Sequence, residues 1–252
     1  MVAIASHKKY TVAVVVILLI VTWLLFVLQD FTALLYSKPF RTGLDSNTLK
    51  AFVVFLTTLL VFITGNDGLN KRDAFLMKVI YVLIIIADFS LVYFESQTVG
   101  IFFFIWVQSG LILRNSAGMK EKLKRNFIKL LLPSLSVGFI LPTALLFFIR
   151  SLSSRPHLLV FMAIYACTVS LSLWAAASAY ILRLLPKKNG LLVFIGMICF
   201  LFCDINVGLS WILPKGMERS LAYAFIWVFY APALTLIALS GYKLSTNKKS
   251  SR

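Results

Sequence analysis

The sequence predicts an all-α membrane protein, a polytopic bundle of about eight transmembrane helices with both termini in the cytoplasm. Hydrophobic residues make up 60% of the chain and the mean hydropathy is +0.93, well above the composition of soluble globular proteins. Apolar runs of about twenty residues, the length a helix needs to cross a bilayer, recur throughout the sequence. Only short connections separate these runs, so we expect one integral membrane domain over residues 1–252.

Eight spans are predicted in chain order, and the first is interpreted as a signal anchor because its apolar run is long and no clear small-residue cleavage site follows it. A second apolar patch, FTALLY at 31–36, is too short to cross and is predicted to lie at the interface or pack on the outer face. The spans are 10–28, 48–64, 73–94, 97–113, 129–149, 158–182, 191–213 and 220–242.

The net charge of +16 does not indicate nucleic acid, because the basic residues occupy short connections instead of one basic domain. Positive charge in short loops marks the cytoplasmic side of a membrane protein and attracts anionic lipid heads. Most of the lysines and arginines fall on the side that holds both termini, above all in the connection at 115–126. The sequence therefore predicts a multi-pass protein, in the cell membrane if the source is bacterial, with no oligomeric state specified.

Two aspartates lie inside predicted spans: Asp88 in VLIIIADFSLVYF and Asp204 in CFLFCDINVGLSW. An ionisable group at membrane depth costs several kcal/mol and normally faces the bundle interior, where it has a function. Both spans run outward, and a rise of 1.5 Å per residue places the two carboxyls roughly 22 and 20 Å from the cytoplasmic helix ends. On facing helices, one carboxyl would keep its proton while the other ionised, which is an acid/base pair.

Other polar side chains come from spans that run in the opposite direction. Gln108 in the fourth span and Trp227 and Tyr230 in the eighth lie approximately 12 to 17 Å from the outer face, within reach of the aspartates. We expect them to contact a substrate. The structural alternative is that the amide and phenol only bridge helices, while the aspartates cap backbone groups or pair with Lys38 or Lys50.

No metal site or cofactor is predicted. The three cysteines fall inside spans and the two histidines near predicted helix ends, so neither a disulfide framework nor the spacing of metal ligands follows.

Several short motifs follow one another from about residue 35 to 240: Lys38-Pro39 before the second span, Asp88 in the third, Gly100 with the FFFIW run in the fourth, Asp204 in the seventh and Phe229-Tyr230 in the eighth. In their order and span positions, these motifs resemble the YhhN family of eight-span membrane proteins, the lysoplasmalogenases. The chain differs at Ala87, Gln108, Cys203 and Ala233, where the family usually has Gly, His, Ser and Gln.

The resemblance implies hydrolysis of the vinyl ether bond of a lysoplasmalogen. Asp88 and Asp204 would supply the acid/base chemistry, and Lys38 near the outer interface would hold the lipid phosphate. Two other functions use the same buried polar groups: a lipid-binding or transport protein without enzymatic activity, and a sensor or assembly subunit. For the hydrolase and for the lipid-binding or transport protein, the expected partner is a lipid and not a nucleic acid.

The charge distribution predicts that a reporter fused after Arg252 lies in the cytoplasm. A fluorescent protein at that position should be active in intact cells, and a reporter that requires export should be inactive there. The opposite pattern would contradict the predicted orientation.

Overall fold

The computed structural model describes residues 2–36, 40, 43–64, 67–131, 133–135, 137, 138, 143 and 156–243. Seven of the described helices are long and apolar enough to cross a membrane, all except the short α5, which supports an integral, multi-pass helical protein. The helices are α1 Val2–Leu35, α2 Ser46–Thr64, α3 Lys71–Val92, α4 Gln97–Asn115, α5 Met119–Asn126, α6 Pro156–Ile181, α7 Lys187–Ile212 and α8 Met217–Ser240, and a 3₁₀ turn, Phe127–Leu130, follows α5.

These seven helices coincide with seven of the eight predicted spans. The fifth predicted span, 129–149, lies mostly outside the described residues, so the total number of crossings stays a prediction. The FTALLY patch is not a separate segment, because α1 continues through it to Leu35. The Thr32 hydroxyl donates to the Leu28 carbonyl at 2.7 Å, and the Phe31 ring packs edge-on against Phe225 of α8 at 5.5 Å. The first helix thus continues through the patch and contacts α8 there.

The seven long helices form a closed circuit. Each packs on the next, in the order α1, α2, α3, α4, α6, α7 and α8, and α8 returns to contact both α1 and α2. Ile101 near the start of α4 packs against Leu158 and Met162 near the start of α6, while Met119, just after α4, packs against Leu182, just after α6. Therefore α4 and α6 run in the same direction.

The contact between α7 and α8 depends on a small residue. A Cβ atom on Gly196 would lie 2.8 Å from the Ile237 side chain and 3.3 Å from the Ala233 carbonyl oxygen. Helices in membranes associate largely by close packing of this kind, because lipid supplies no hydrophobic driving force between them. The glycine lets the two backbones approach and brings the Asp204 helix against the Tyr230 helix.

A buried ion pair ties together the end of the bundle where α4 and α8 finish, which we call the closed end. Arg114 Nε lies 2.7 Å from Asp73 Oδ1, and the same guanidinium donates to the Ser240 hydroxyl at 2.8 Å. Asn189 of α7 donates to the Ser240 carbonyl at 2.8 Å. Arg114 follows the predicted fourth span, 97–113, directly, where a basic residue usually faces water, but the structure shows it buried, linking α3, α4 and α8.

Replacement of Arg114 by methionine should destabilise the protein strongly. It leaves the Asp73 carboxylate buried without its cation, and removal of one partner of a buried pair costs about 3–5 kcal/mol. The measurement is thermal unfolding of purified protein in detergent, with Lys188→Met, an exposed cation at the same end, as the control. An unchanged melting temperature for Arg114→Met would contradict the assigned role.

Candidate functional site

A large cavity enters the bundle from the end opposite the closed end, which we call the open end. Its volume is about 1410 Å³, and all seven long helices contribute to its wall. Ligand pockets usually enclose roughly 300–1,000 Å³, so there is room for an extended ligand.

Asp45, which caps α2 at this end, accepts hydrogen bonds from the Thr48 hydroxyl and N–H, and these bonds lower the pKa of its carboxyl.

Asp88 and Asp204 both lie on the wall of this cavity. They are the same number of residues past the first residues of their helices, Lys71 and Lys187, and both are half-buried. The hydroxyl of Tyr230 in α8 donates to Asp88 Oδ2 at 2.8 Å. The hydroxyl of Tyr165 in α6 donates to Asp204 Oδ1 at 2.9 Å. Each carboxyl of the site is therefore paired with a tyrosine from a neighbouring helix.

The two pairs form one group around the ring of Phe104. Its centroid lies 6.3 Å from Tyr165 and 6.4 Å from Tyr230. Cys203, also on the cavity wall, is buried and precedes Asp204 in α7. We call Asp88, Tyr230, Asp204 and Tyr165 the Asp–Tyr cluster. Asn206, two residues from Asp204, instead donates to the Phe202 carbonyl of its own helix at 2.7 Å.

The other two aspartates within the long helices have cationic partners. Asp30 Oδ2 lies 2.7 Å from Lys50 Nζ, its Oδ1 accepts from the Ser46 hydroxyl at 2.6 Å, and Asp73 is paired with Arg114. Pairing of Asp88 or Asp204 with Lys50, one form of the structural alternative, is thus wrong, because Lys50 is bound to Asp30; the other predicted partner, Lys38, lies outside the described residues. In the described part of the chain neither carboxyl of the cluster has a cationic partner, and Asp204 Oδ2 is buried without a hydrogen bond.

Lys50 is also enclosed by aromatic rings. Its Nζ lies 5.2 Å from the Tyr223 ring, 5.5 Å from Trp227 and 6.0 Å from Phe26, distances at which ring quadrupoles stabilise a cation. The lysine joins α1, α2 and α8 beside the cavity, and Trp227 packs edge-on against Tyr230 at 5.4 Å. The ion pair therefore supports the wall next to the Asp–Tyr cluster.

The predicted substrate-binding residues differ in their position relative to the cavity wall. Trp227 and Tyr230 line the cavity. Gln108 is fully buried behind the wall, next to the Tyr165 hydroxyl, and its amide has no hydrogen-bond partner among the described residues. Lys38 lies outside the described residues. Whether these side chains contact a substrate stays a prediction.

Sequence reasoning missed Tyr165. The only signal was a hydroxyl in the middle of an apolar run, MAIYACT, and buried phenols in membrane spans most often bridge helices without further function. Its relation to Asp204, 39 residues away in the chain, requires knowledge of how α6 packs on α7.

Within the described residues, no three His, Cys, Asp or Glu side chains come together in an arrangement that could hold a metal ion. Comparison of the chain with models of known protein families, with characterised proteins and with solved structures gives no match.

Asp88→Asn should leave the fold intact. The asparagine oxygen can still accept the Tyr230 hydrogen bond, and no ion pair of the described residues is broken. Asp73→Asn, the same change at an ion-paired position, should lower stability by several kcal/mol because Arg114 loses its counter-charge. Thermal unfolding of both variants in detergent tests this difference. Equal destabilisation would show that Asp88 has a structural role comparable to that of Asp73.

Proposed function

We propose that the protein is an intramembrane hydrolase that cleaves the vinyl ether bond of lysoplasmalogen-type lysophospholipids, with Asp88 and Asp204 as the acid/base pair. One observation carries the proposal: both carboxyls lie on the wall of one large cavity, and each is held by a tyrosine hydroxyl and not by a described cation. Aspartates that only hold a fold together are expected to be neutralised, as Asp30 and Asp73 are.

The cavity has an apolar region and a charged region, as the binding of an amphiphile with one chain requires. Its inner wall combines the rings of Phe104, Phe200 and Trp227 with aliphatic side chains, while its outer part carries Asp30, Glu95, Lys215 and Arg219. An apolar chain fits the first region and a charged headgroup the second. The choice of a vinyl ether as the reactive bond comes from the resemblance of the sequence to the YhhN family.

The reaction needs one carboxyl that donates a proton and one that is ionised. The protonated carboxyl transfers its proton to the vinyl ether carbon that is not attached to oxygen, and the C=C electron pair forms the new C–H bond. The resulting oxocarbenium ion is stabilised by the ionised carboxylate, which also takes a proton from an attacking water. As the hemiacetal collapses, its hydroxyl proton passes to the first carboxylate and the second carboxyl protonates the leaving glycerol oxygen while the C–O bond breaks. This releases a fatty aldehyde and a glycerophospho-alcohol, consumes one water and restores both carboxyls.

Tyr165 and Tyr230 act as positioning residues in this proposal. Each donates its hydroxyl hydrogen to one carboxyl oxygen, which orients the carboxyl. Hydrogen bonds to charged groups contribute about 1.5–3 kcal/mol. Gln108 lies beside Tyr165, buried behind the cavity wall.

A lipid-binding or transport protein is the second candidate. The observation that favours it is the same pairing, because two carboxyls that already accept tyrosine hydrogen bonds can hold a polar headgroup without any turnover. The two candidates differ in whether a bound lysoplasmalogen is broken down, so product formation distinguishes them.

The first test is aldehyde release from a lysoplasmalogen in detergent micelles by the purified protein. Wild type should release aldehyde, and Asp204→Asn and Asp88→Asn should each reduce the rate by about 100-fold or more, the usual contribution of a general acid or base. Tyr165→Phe should reduce it by roughly tenfold, mainly through kcat and with a shifted pH profile. Glu121→Gln, the same change at an exposed carboxylate, is the matched control.

Unfolding temperatures of all variants are measured in parallel, so that loss of activity is separated from loss of fold. Lipid that binds folded wild type and is recovered intact would contradict the hydrolase and favour the binding protein. Full activity of a folded Asp204→Asn variant would contradict the role of the cluster.

A further inference from the structure

The mouth of the cavity carries two cationic side chains that no structural pairing explains. Lys215 lies in the turn between α7 and α8, and Arg219 lies in the first turn of α8. Both line the cavity. Neither forms an ion pair or hydrogen bond with a residue that the structure describes, in contrast to Lys50 and Arg114.

The acidic groups at the same mouth do not cancel this charge. Asp30 is neutralised by Lys50 at 2.7 Å and accepts a second bond from Ser46. Glu95 is the other acidic residue at the mouth, since Asp88 and Asp204 lie farther inside, so two cations at the mouth face one uncompensated carboxylate there. A cavity with low-dielectric walls strengthens the field of such an excess and concentrates ligands of the opposite sign.

We infer that Lys215 and Arg219 form a subsite for the phosphate of the ligand's headgroup. A guanidinium binds phosphate oxygens in a bidentate manner, and an ammonium adds a point charge. The inference deepens the proposed function and rests on it for the position of the reactive bond. It assigns the headgroup to the open end of the bundle and the apolar chain to the inner wall.

The spacing along α8 agrees with this orientation. Arg219 precedes Tyr230 by eleven residues, which is roughly 16 Å of helix. Long basic side chains extend well beyond their own helical turn, so the guanidinium shortens the gap to the Asp–Tyr cluster. A phosphate held there places the glycerol and its ether bond further into the cavity, toward the carboxyls. Binding at the mouth therefore determines which bond of the ligand reaches the cluster.

The test measures binding without turnover, using a lysophospholipid with a saturated ether chain, which vinyl ether chemistry does not cleave. The comparison ligand is the same alkyl ether of glycerol without phosphate. Wild type in detergent should bind the phosphate-bearing ligand at least about tenfold more tightly. In the double variant Lys215→Gln/Arg219→Gln this preference should disappear, while affinity for the phosphate-free ligand stays within about twofold.

Lys187→Gln/Lys188→Gln is the matched control, because it removes two exposed lysines at the closed end and should keep the full preference. Arg219→Lys, which retains the charge, should keep most of it. A preference for phosphate that survives in a folded double variant, or that is absent in wild type, would overturn the inference.

Two further ligands test whether the subsite takes the phosphate of a lipid or a soluble phosphate. Inorganic phosphate and glycerol 3-phosphate should fail to displace the lipid analogue at concentrations that saturate it, because they lack the chain that the apolar wall holds. Equal binding of inorganic phosphate would mean a site for soluble anions and would overturn the assignment to a lipid. Phosphate-dependent binding without aldehyde release would refute the hydrolase alone, whereas aldehyde release without phosphate dependence would refute this subsite alone.

Discussion

The structure depends on how charge is compensated inside an apolar bundle. A carboxylate removed from water requires a cation or several hydrogen bonds, because its desolvation penalty is otherwise several kcal/mol. Asp30 and Asp73 satisfy this requirement with Lys50 and Arg114, one pair at each end of the bundle. Both pairs link different helices, so the same contacts that neutralise charge also hold the circuit closed. Among the residues that the structure describes, Asp88 and Asp204, between the two ends, are compensated only by tyrosine hydroxyls.

In the proposed function, this division separates the structural carboxylates from the reactive ones. The ion pair at the closed end joins the helices that carry Asp88 and Tyr230, since Arg114 contacts both Asp73 of α3 and Ser240 of α8. Gly196 brings α7 onto α8, and the hydroxyl of Tyr81 in α3 donates to the Leu234 carbonyl of α8. The Tyr230 hydroxyl is therefore aimed at Asp88 by packing farther along the same two helices, α3 and α8. Such support lets a carboxyl remain reactive without losing its orientation.

The sequence alone predicted the helical membrane fold and seven of the helices, because long apolar runs leave no other structure that satisfies the backbone. It also singled out Asp88 and Asp204, since an acid within such a run is rare. Tyr165, by contrast, looks like any phenol in an apolar span. Asp73 and Arg114 lie at span ends, where charges usually face water, so their pairing depends on how α3 meets α4. Partners depend on packing, which the pattern of one chain does not contain.

The proposed hydrolysis at membrane depth depends on the polarity of the cavity. Water is a reactant, and a carboxyl pair sealed among lipid tails would lack it. Here the Asp–Tyr cluster shares one cavity with Lys215, Glu95 and Arg219 at the open end, which in the proposed function gives water and the charged headgroup one route of entry. The ring of Phe104 borders the inner region, and electrostatic interactions are stronger in apolar surroundings of low dielectric. A polar mouth above an apolar, carboxyl-bearing base thus meets both demands of the proposed reaction, access for water and a low dielectric at the bond that breaks.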